Sequence, residues 1–411
     1  MASFLKSDTS LGGLGALYGG SLLSGGWTMV IPTIPVLAQH FGISAAAAAQ
    51  IVTAIALGRF VGTPISGVLL DRVGVRAVVV WGAVIVSGAA FLAALSPWLV
   101  GILALCFVMG LGDSIWALGR EVAGVDLARL DQRGRVLSTL HGTHNAGTAL
   151  CPWLGGVLTE RFDFRAAFLA YALFAAVSVV LGLGAPNVKA SPAPAAKPRL
   201  ATGWNLAAAR EQWRGLRDLF SQIEPQFRST YIALVVATWA SHSYRITMQS
   251  MLPLYAGTAL HFSPSEIGLL FSISGVFVFA MIIPSGIIMD RVGRKWATVP
   301  STGLPALAFL LLPFTNSFIQ LAIILSITGM CNGLSLGSMS VSTFDVVPAH
   351  ARGRLQAARR MIAEMGGALA PAVGGFLAHT FNPGVPFLVY VPVLIFAAAY
   401  LALAGRETLE R

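Results

Sequence analysis

Six polar side chains occupy places where the surrounding sequence is almost wholly apolar. Asp113 lies near the middle of one such run and Arg245 near the middle of another, with His242 one turn before it. Asn332, Glu364 and Arg59 lie in three more. In hydrocarbon a polar or ionisable group is costly, so each is a candidate for binding or proton chemistry. Asp113 could hold a proton or a cationic group. Arg245 could hold a substrate anion or neutralise Asp113 in a purely structural ion pair, and Asn332 could donate and accept hydrogen bonds. The His242 imidazole suits a pH-dependent switch, although a lone helical histidine also serves as ordinary packing. Glu364 could carry a proton or pair with Arg360 one turn away. Arg59 stands with the adjacent Arg120 and Glu121 in a second tier.

Other chemistries are excluded by what the chain lacks. There is no G-x-x-x-x-G-K-[ST] loop for ATP, and no Ser-His-Asp set or carboxylate pair on a soluble domain, so enzymatic activity is not expected. His141 and His144 have an i, i+3 spacing that suits a metal, but no acidic or Cys partner stands nearby, and neither a metal nor another cofactor is expected. Cys106, Cys151 and Cys331 fall inside apolar runs without metal-ligand spacing and read as small packing residues.

The elements that must position these residues follow from composition. Of 411 residues, 56% are hydrophobic and 11% charged, too little polar surface for a soluble globule. Runs of about 20 residues or more, each able to cross about 30 Å of hydrocarbon as a helix, recur along the chain. Twelve are expected, at 12–38, 45–70, 77–95, 98–125, 134–159, 165–186, 230–260, 265–288, 296–314, 317–345, 354–379 and 386–404. The 44 glycines suit close helix approach in lipid. The start, MASFLKSDTS, carries no cleavage pattern, so the first span is expected to stay in the mature protein.

A net charge of +10 would suggest nucleic acid in a soluble protein, but here its distribution is orientational. Lys6, Arg72, Arg76, Arg129, Arg133, Arg135, Arg291, Arg294, Lys295, Arg352, Arg354, Arg406 and Arg411 fall on one side of a twelve-span weave, and little beyond Arg161 and Arg165 falls on the other. The positive-inside rule then places both termini in the cytoplasm of a multi-pass protein of the plasma (bacterial inner) membrane, whose partner is lipid and not nucleic acid.

The chain also repeats itself. D-R-V-G occurs at Asp71 and at Asp290, 219 residues apart, and the same offset relates Asp126 to Asp345, Arg133–Arg135 to Arg352–Arg354, and Pro152, Gly155 and Gly156 to Pro371, Gly374 and Gly375. Two six-helix halves of like topology are implied: 1–186 and 230–411, joined by a connector at 187–229. Its NVKASPAPAAKPRL stretch suits an extended chain. Leu206, Trp213, Leu216 and Phe220 then gather on one side of a helix that could lie on the membrane surface or pack beneath the bundle. Asn332 stands 219 residues after Asp113, and Glu364 as far after Asn145.

On these residues the chain resembles the major facilitator superfamily of secondary transporters, an all-α membrane fold of twelve transmembrane helices in two pseudo-symmetric six-helix bundles. Gly67, Asp71, Arg72, Gly74 and Arg76 fit its loop signature between helices two and three, departing at Val75; Gly286, Asp290, Arg291, Gly293, Arg294 and Lys295 fit it throughout. The charged members are candidates for a cytoplasmic gate, with Asp71 and Asp126 tied to Arg72, Arg76 and Arg120, beside Glu121, and with Asp345 matching Asp126; alternatively the basic residues merely set topology. Gly74 and Gly293 suit tight turns.

Two stretches resemble the twelve-helix drug:proton antiporter branch: Pro32 and Pro35 in helix one, and Gly147, Pro152, Gly155 and Gly156 in helix five, where Cys151 replaces a central glycine. Cys106 stands ahead of Gly110 where that branch carries an arginine. The resemblance implies that helices one, four, seven and ten line the substrate path. It implies proton-coupled efflux of small organic or amphipathic molecules by alternating access, with the small molecule and protons as partners. The alternatives are a proton-coupled importer or facilitator of a polar or anionic metabolite, and a non-transporting sensor on the same fold. A monomer is the default expectation.

Overall fold

The computed structural model describes residues 11–128, 133–183, 214, 217–335, 337–348 and 351–408, and the side chains at 11, 12, 45, 71, 133–135, 352 and 353 lie outside that description. Every regular element among the described residues is helical. In chain order these are α1 (Leu11–Ser24), a 3-10 stretch (Gly25–Thr33), α2 (Ile34–Phe41), α3 (Ala45–Ala48), α4 (Gln50–Val73), α5 (Val75–Leu95), α6 (Leu99–Leu127), α7 (Arg133–Arg161) and α8 (Phe164–Gly182). There follow α9 (Pro225–Thr258), α10 (Pro264–Ala280), α11 (Ile282–Arg291), α12 (Arg294–Leu311), α13 (Phe318–Ser335), α14 (Ser338–Val346), α15 (Arg352–Thr380) and α16 (Val385–Ala404).

Ten stretches among the described residues are long and apolar enough to cross a bilayer. Two further helices, α7 with 29 residues and α9 with 34, have the length but carry more polar side chains. Large apolar side chains such as Trp81, Phe91, Leu92, Leu173 and Val180 point outward from α5 and α8, as a lipid-facing surface requires. Small residues do the packing inside: α5 buries Gly82, Ala83, Ala89, Ala90, Ala93 and Ala94.

Contacts divide the described chain into two compact units, one drawn from Met1–Ala193 with Gln249–Phe279, the other from Pro194–Met248 with Ala280–Arg411. The division follows packing rather than chain order, because α10 lies directly against α7. A Cβ on Gly268 would fall 2.2 Å from the Pro152 carbonyl oxygen, and one on Gly156 would fall 2.2 Å from that of Pro264.

The first span is continuous in length but not in type. Pro32 has no N–H to give, Gly25 and Gly26 are poor helix formers, and nine residues adopt 3-10 geometry, a run longer than usual for that helix. Of the connector, 187–213, 215 and 216 lie outside the described residues. Phe220 and Leu219 pack against Ile223, Tyr231 and Leu355 at the foot of α9. Gly74 (φ 85°) joins α4 to α5, and Gly293 (φ 144°) stands between α11 and α12, in backbone regions that L side chains avoid.

Candidate functional site

The local packing of α4 on α6 explains how a charge pair forms between them. Gly58 lies against the Phe107 carbonyl and Gly110 against the Ile55 carbonyl, so the two backbones approach where any Cβ would clash. One residue after Gly58 comes Arg59, and three after Gly110 comes Asp113. The Arg59 Nε donates to Asp113 Oδ2 at 2.8 Å, with the side chains 23% and 12% exposed. The guanidinium also lies over the Trp27 ring, 4.2 Å from its centroid, so one cation is held by a carboxylate and an aromatic face together. Asp113 is thus neutralised by Arg59, where the sequence offered Arg245 for that task. Cys106, where the antiporter branch carries arginine, is fully buried; the guanidinium near Asp113 comes from α4.

Arg120, seven residues on from Asp113, is also buried. Its Nη1 donates to the Gly20 carbonyl at 2.9 Å and its guanidinium covers the Trp116 ring at 4.4 Å, which ties α6 to α1. His144 Nδ1 lies 2.8 Å from Ser24 Oγ, a second tie from α1 to α7. Glu121 stands 3.9 Å from His141 Nε2, both of them partly exposed. Among the described residues no group of three His, Cys, Asp or Glu side chains is arranged to hold a metal. Trp27, Trp116 and Ser24 escaped sequence reasoning, since nothing in an apolar run marks a tryptophan face or a hydroxyl as a charge's neighbour.

In the second unit the candidates fall into two groups. The Tyr244 hydroxyl donates to Asn332 Oδ1, so the amide on α13 is engaged with α9, behind which Phe309, Phe387 and Tyr390 stack edge to face. Arg245 Nε donates to the Ser241 carbonyl of its own helix at 3.1 Å. Its guanidinium has no carboxylate partner among the described residues. Separately, His242 Nε2 lies 3.4 Å from Glu364 Oε2. Arg359 was missed by the sequence reading although it adjoins Arg360: it is 4% exposed and donates to Thr238, Gln356 and Ser340, neutral acceptors on three helices.

The glycines of α7 serve two neighbours. Gly147 and Gly155 face the first span, their Cβ positions 2.0 Å from the Leu22 oxygen and 2.4 Å from Met29 Cα, while Pro152 and Gly156 face α10. Trp153 N–H donates to Ser272 Oγ along the same seam, and Cys151 is buried with Met29 and Ala167. At its end Glu160 Oε2 accepts from the Ser265 N–H at 3.2 Å, capping the first turn of α10. Hydrogen bonds from the Ser265 hydroxyl and N–H hold the Glu160 carboxyl below its ordinary range.

The second D-R-V-G loop is built as a charge cluster. Arg294 Nη1 donates to Asp290 Oδ1 at 2.8 Å and Arg294 Nε to Asp345 Oδ2 at 3.1 Å. Glu407, a residue sequence reasoning missed, accepts from the Arg294 and Lys295 N–H groups at the start of α12. In the first loop Arg72 is exposed and the Asp71 side chain lies outside the described residues, as do those of Arg133 to Arg135. Gly67 and Gly286 have open space at their Cβ positions.

Known proteins resemble the chain throughout. The Major Facilitator Superfamily matches residues 16–256 and 234–410. "Multidrug resistance protein 1" of Bacillus subtilis is 22% identical over 364 residues, 85% of each chain. "Multi-drug resistance efflux pump PmrA" of Streptococcus pneumoniae is 21% identical over 412 residues, 96% of each. The crystal structure of a D-xylose-proton symporter shares the fold, with a TM-score of 0.76 over 97% of this chain and 99% of that one at 17% identity.

Proposed function

Because the chain belongs to the Major Facilitator Superfamily, and is a multi-pass transport protein rather than an enzyme, we propose that it exports small amphipathic organic molecules in exchange for protons by alternating access. The observation that carries this reading is the Arg59 guanidinium held jointly by Asp113 and the Trp27 face. Arg59 there stands as an internal surrogate for an organic cation. A flat or greasy cation would compete for the same carboxylate and the same ring, and Arg59, on a flexible stem and 23% exposed, can swing aside to admit it. The multidrug resistance names of the relatives support the substrate class.

The ties described above supply what alternation needs. The α7 seam against α10, made of glycine packing and hydrogen bonds, and the ion pairs of Arg294 with Asp290 and Asp345 are non-covalent ties that break and re-form as the protein switches. The basic residues of the D-R-V-G loops support an orientation with both termini in the cytoplasm of a bacterial inner membrane, and the substrate path requires one chain only.

The test is ethidium transport in proteoliposomes under an imposed pH gradient, with Asp113→Asn alongside. Uphill ethidium movement driven by protons, lost in the variant, supports the reading; movement unaffected by both the gradient and the variant overturns it. One observation favours a second reading, an importer or facilitator of a polar or anionic metabolite: the Arg245 guanidinium has no carboxylate partner among the described residues. Anion flux that Arg245→Gln abolishes would establish it.

A further inference from the structure

Exchange for protons needs a group that gains and loses one inside the helices, and Asp113 is poorly placed for that. A proton on Asp113 would release the Arg59 guanidinium, which does not give up its own, and unlike an organic cation would bring nothing to the Trp27 face to offset the lost pair. The second unit holds a pair of a different kind. His242 on α9 and Glu364 on α15 meet at 3.4 Å, both about one-fifth exposed.

Their meeting is built by two glycines. A Cβ on Gly366 would strike Trp239 Nε1 at 2.4 Å and Ser243 Oγ at 2.5 Å, and one on Gly367 would strike the His242 ring at 2.5 Å. Only a Gly-Gly step lets α15 take the imidazole face that closely, and Glu364 lies within one turn of that step. The repeat sharpens the contrast. At the matching height in the first unit, Ser24 on α1 meets His144 on α7; Ser243 and Ala363 are the residues 219 positions on. One half joins these helices by a hydroxyl and an imidazole, the other by an imidazole and a carboxylate.

We propose that His242 and Glu364 form the site that carries the exchanged proton, an inference that rests on the proton-coupled reading above. The pair holds its proton as an N–H bond on the imidazole or an O–H bond on the carboxyl, neutral as a unit either way, and becomes an anion when that proton leaves to water. Loading and unloading therefore change the pair by one charge without stranding a partner. The packed elements also carry Arg228, Tyr231, Tyr244, Arg245 and Tyr255 on α9, Arg352, Arg354, Arg359, Arg360 and His379 on α15, and Tyr390 and Tyr400 on α16, with the amide of Asn332 on α13. Those of α12 and α14 (Arg294, Lys295 and Asp345) belong to the cytoplasmic cluster. Substrate and proton would then occupy different units: Asp113 takes the organic cation, and the His242–Glu364 pair takes the proton.

Two measurements on the reconstituted full chain test this. Infrared difference spectra between acidic and alkaline pH, with no substrate present, should show a carboxylic-acid C=O band that Glu364→Gln abolishes and Asp113→Asn keeps; a band that follows Asp113 instead overturns the assignment. In ethidium transport, Glu364→Gln and His242→Gln should each lose accumulation against a gradient while retaining ethidium–ethidium exchange, which also shows that they fold. Proton-driven accumulation at wild-type level in Glu364→Gln overturns the proposal. A wild type that shows the titrating band yet moves no ethidium refutes the drug-export reading, and leaves the proton assignment standing on the infrared result.

Discussion

Removing the carboxylate from the Arg59–Asp113 pair gives a prediction with a size. Asp113→Asn keeps the shape of the side chain but leaves a guanidinium that is 23% exposed with an amide at 2.8 Å in place of its counter-charge. Breaking a fully buried pair costs about 3–5 kcal/mol, because the remaining charge is stranded. Here the residual exposure of both groups and the Trp27 face, whose cation–π contact contributes about 0.5–2 kcal/mol, offset part of that. The expected loss is therefore at the low end, about 2–3 kcal/mol. Arg59→Gln should cost a similar amount, and the double variant much less than the sum, giving a coupling energy of about 1–3 kcal/mol. SDS titration of the four proteins in mixed micelles, followed by tryptophan fluorescence, measures the cycle. Additive single losses, or an Asp113→Asn cost within the roughly 0.5 kcal/mol of a surface change, would refute the pair as a structural and electrostatic unit.

Three further outcomes follow from the same geometry. Gly155→Val would place its Cβ 2.4 Å from Met29 backbone, so α7 must part from the first span; transport should fall to background and stability by about 1–3 kcal/mol, read in the same assays. Gly293→Ala, at φ 144°, should cost about 1–3 kcal/mol in the same titration, chiefly from backbone strain, since the Glu407 carboxylate in the path of its Cβ is the end of a flexible side chain. Glu160 has its pKa lowered by the Ser265 hydrogen bonds, so its tie to α10 should be present above the ordinary carboxylate range and lost as pH falls through the depressed value. Spin-label distances between the ends of α7 and α10 should lengthen on acidification, and Glu160→Gln should remove that dependence.

The architecture was legible because its cause is compositional. Apolar runs of membrane length, a fixed 219-residue offset and twin D-R-V-G loops leave few folds open, and each is visible in one reading of the chain. The intramembrane charges were legible singly, since an Asp or Arg amid apolar residues announces itself. Their partners were not. Arg59 meets Asp113 across 54 residues only because Gly58 and Gly110 bring two backbones together, and such reciprocal approach leaves no mark beyond two glycines among 44. For the same reason the sequence offered Glu364 only Arg360, its neighbour on the same helix, as a partner, and not His242. The Gly366–Gly367 step that seats the imidazole is a property of the packed pair of helices, not of either strip of sequence. Glu407 was invisible for another reason: its task, capping α12, depends on where the chain returns after α16.

In the proposed cycle an organic cation such as ethidium exchanges for protons through one chain and is held at Asp113. The most direct measurement records internal pH with an enclosed dye while ethidium is added to proteoliposomes of the wild type and of Asp113→Asn. Protons should move opposite to ethidium in the wild type and not at all in the variant. Ethidium crossing with no proton movement, or equal proton movement in both proteins, would contradict that cycle.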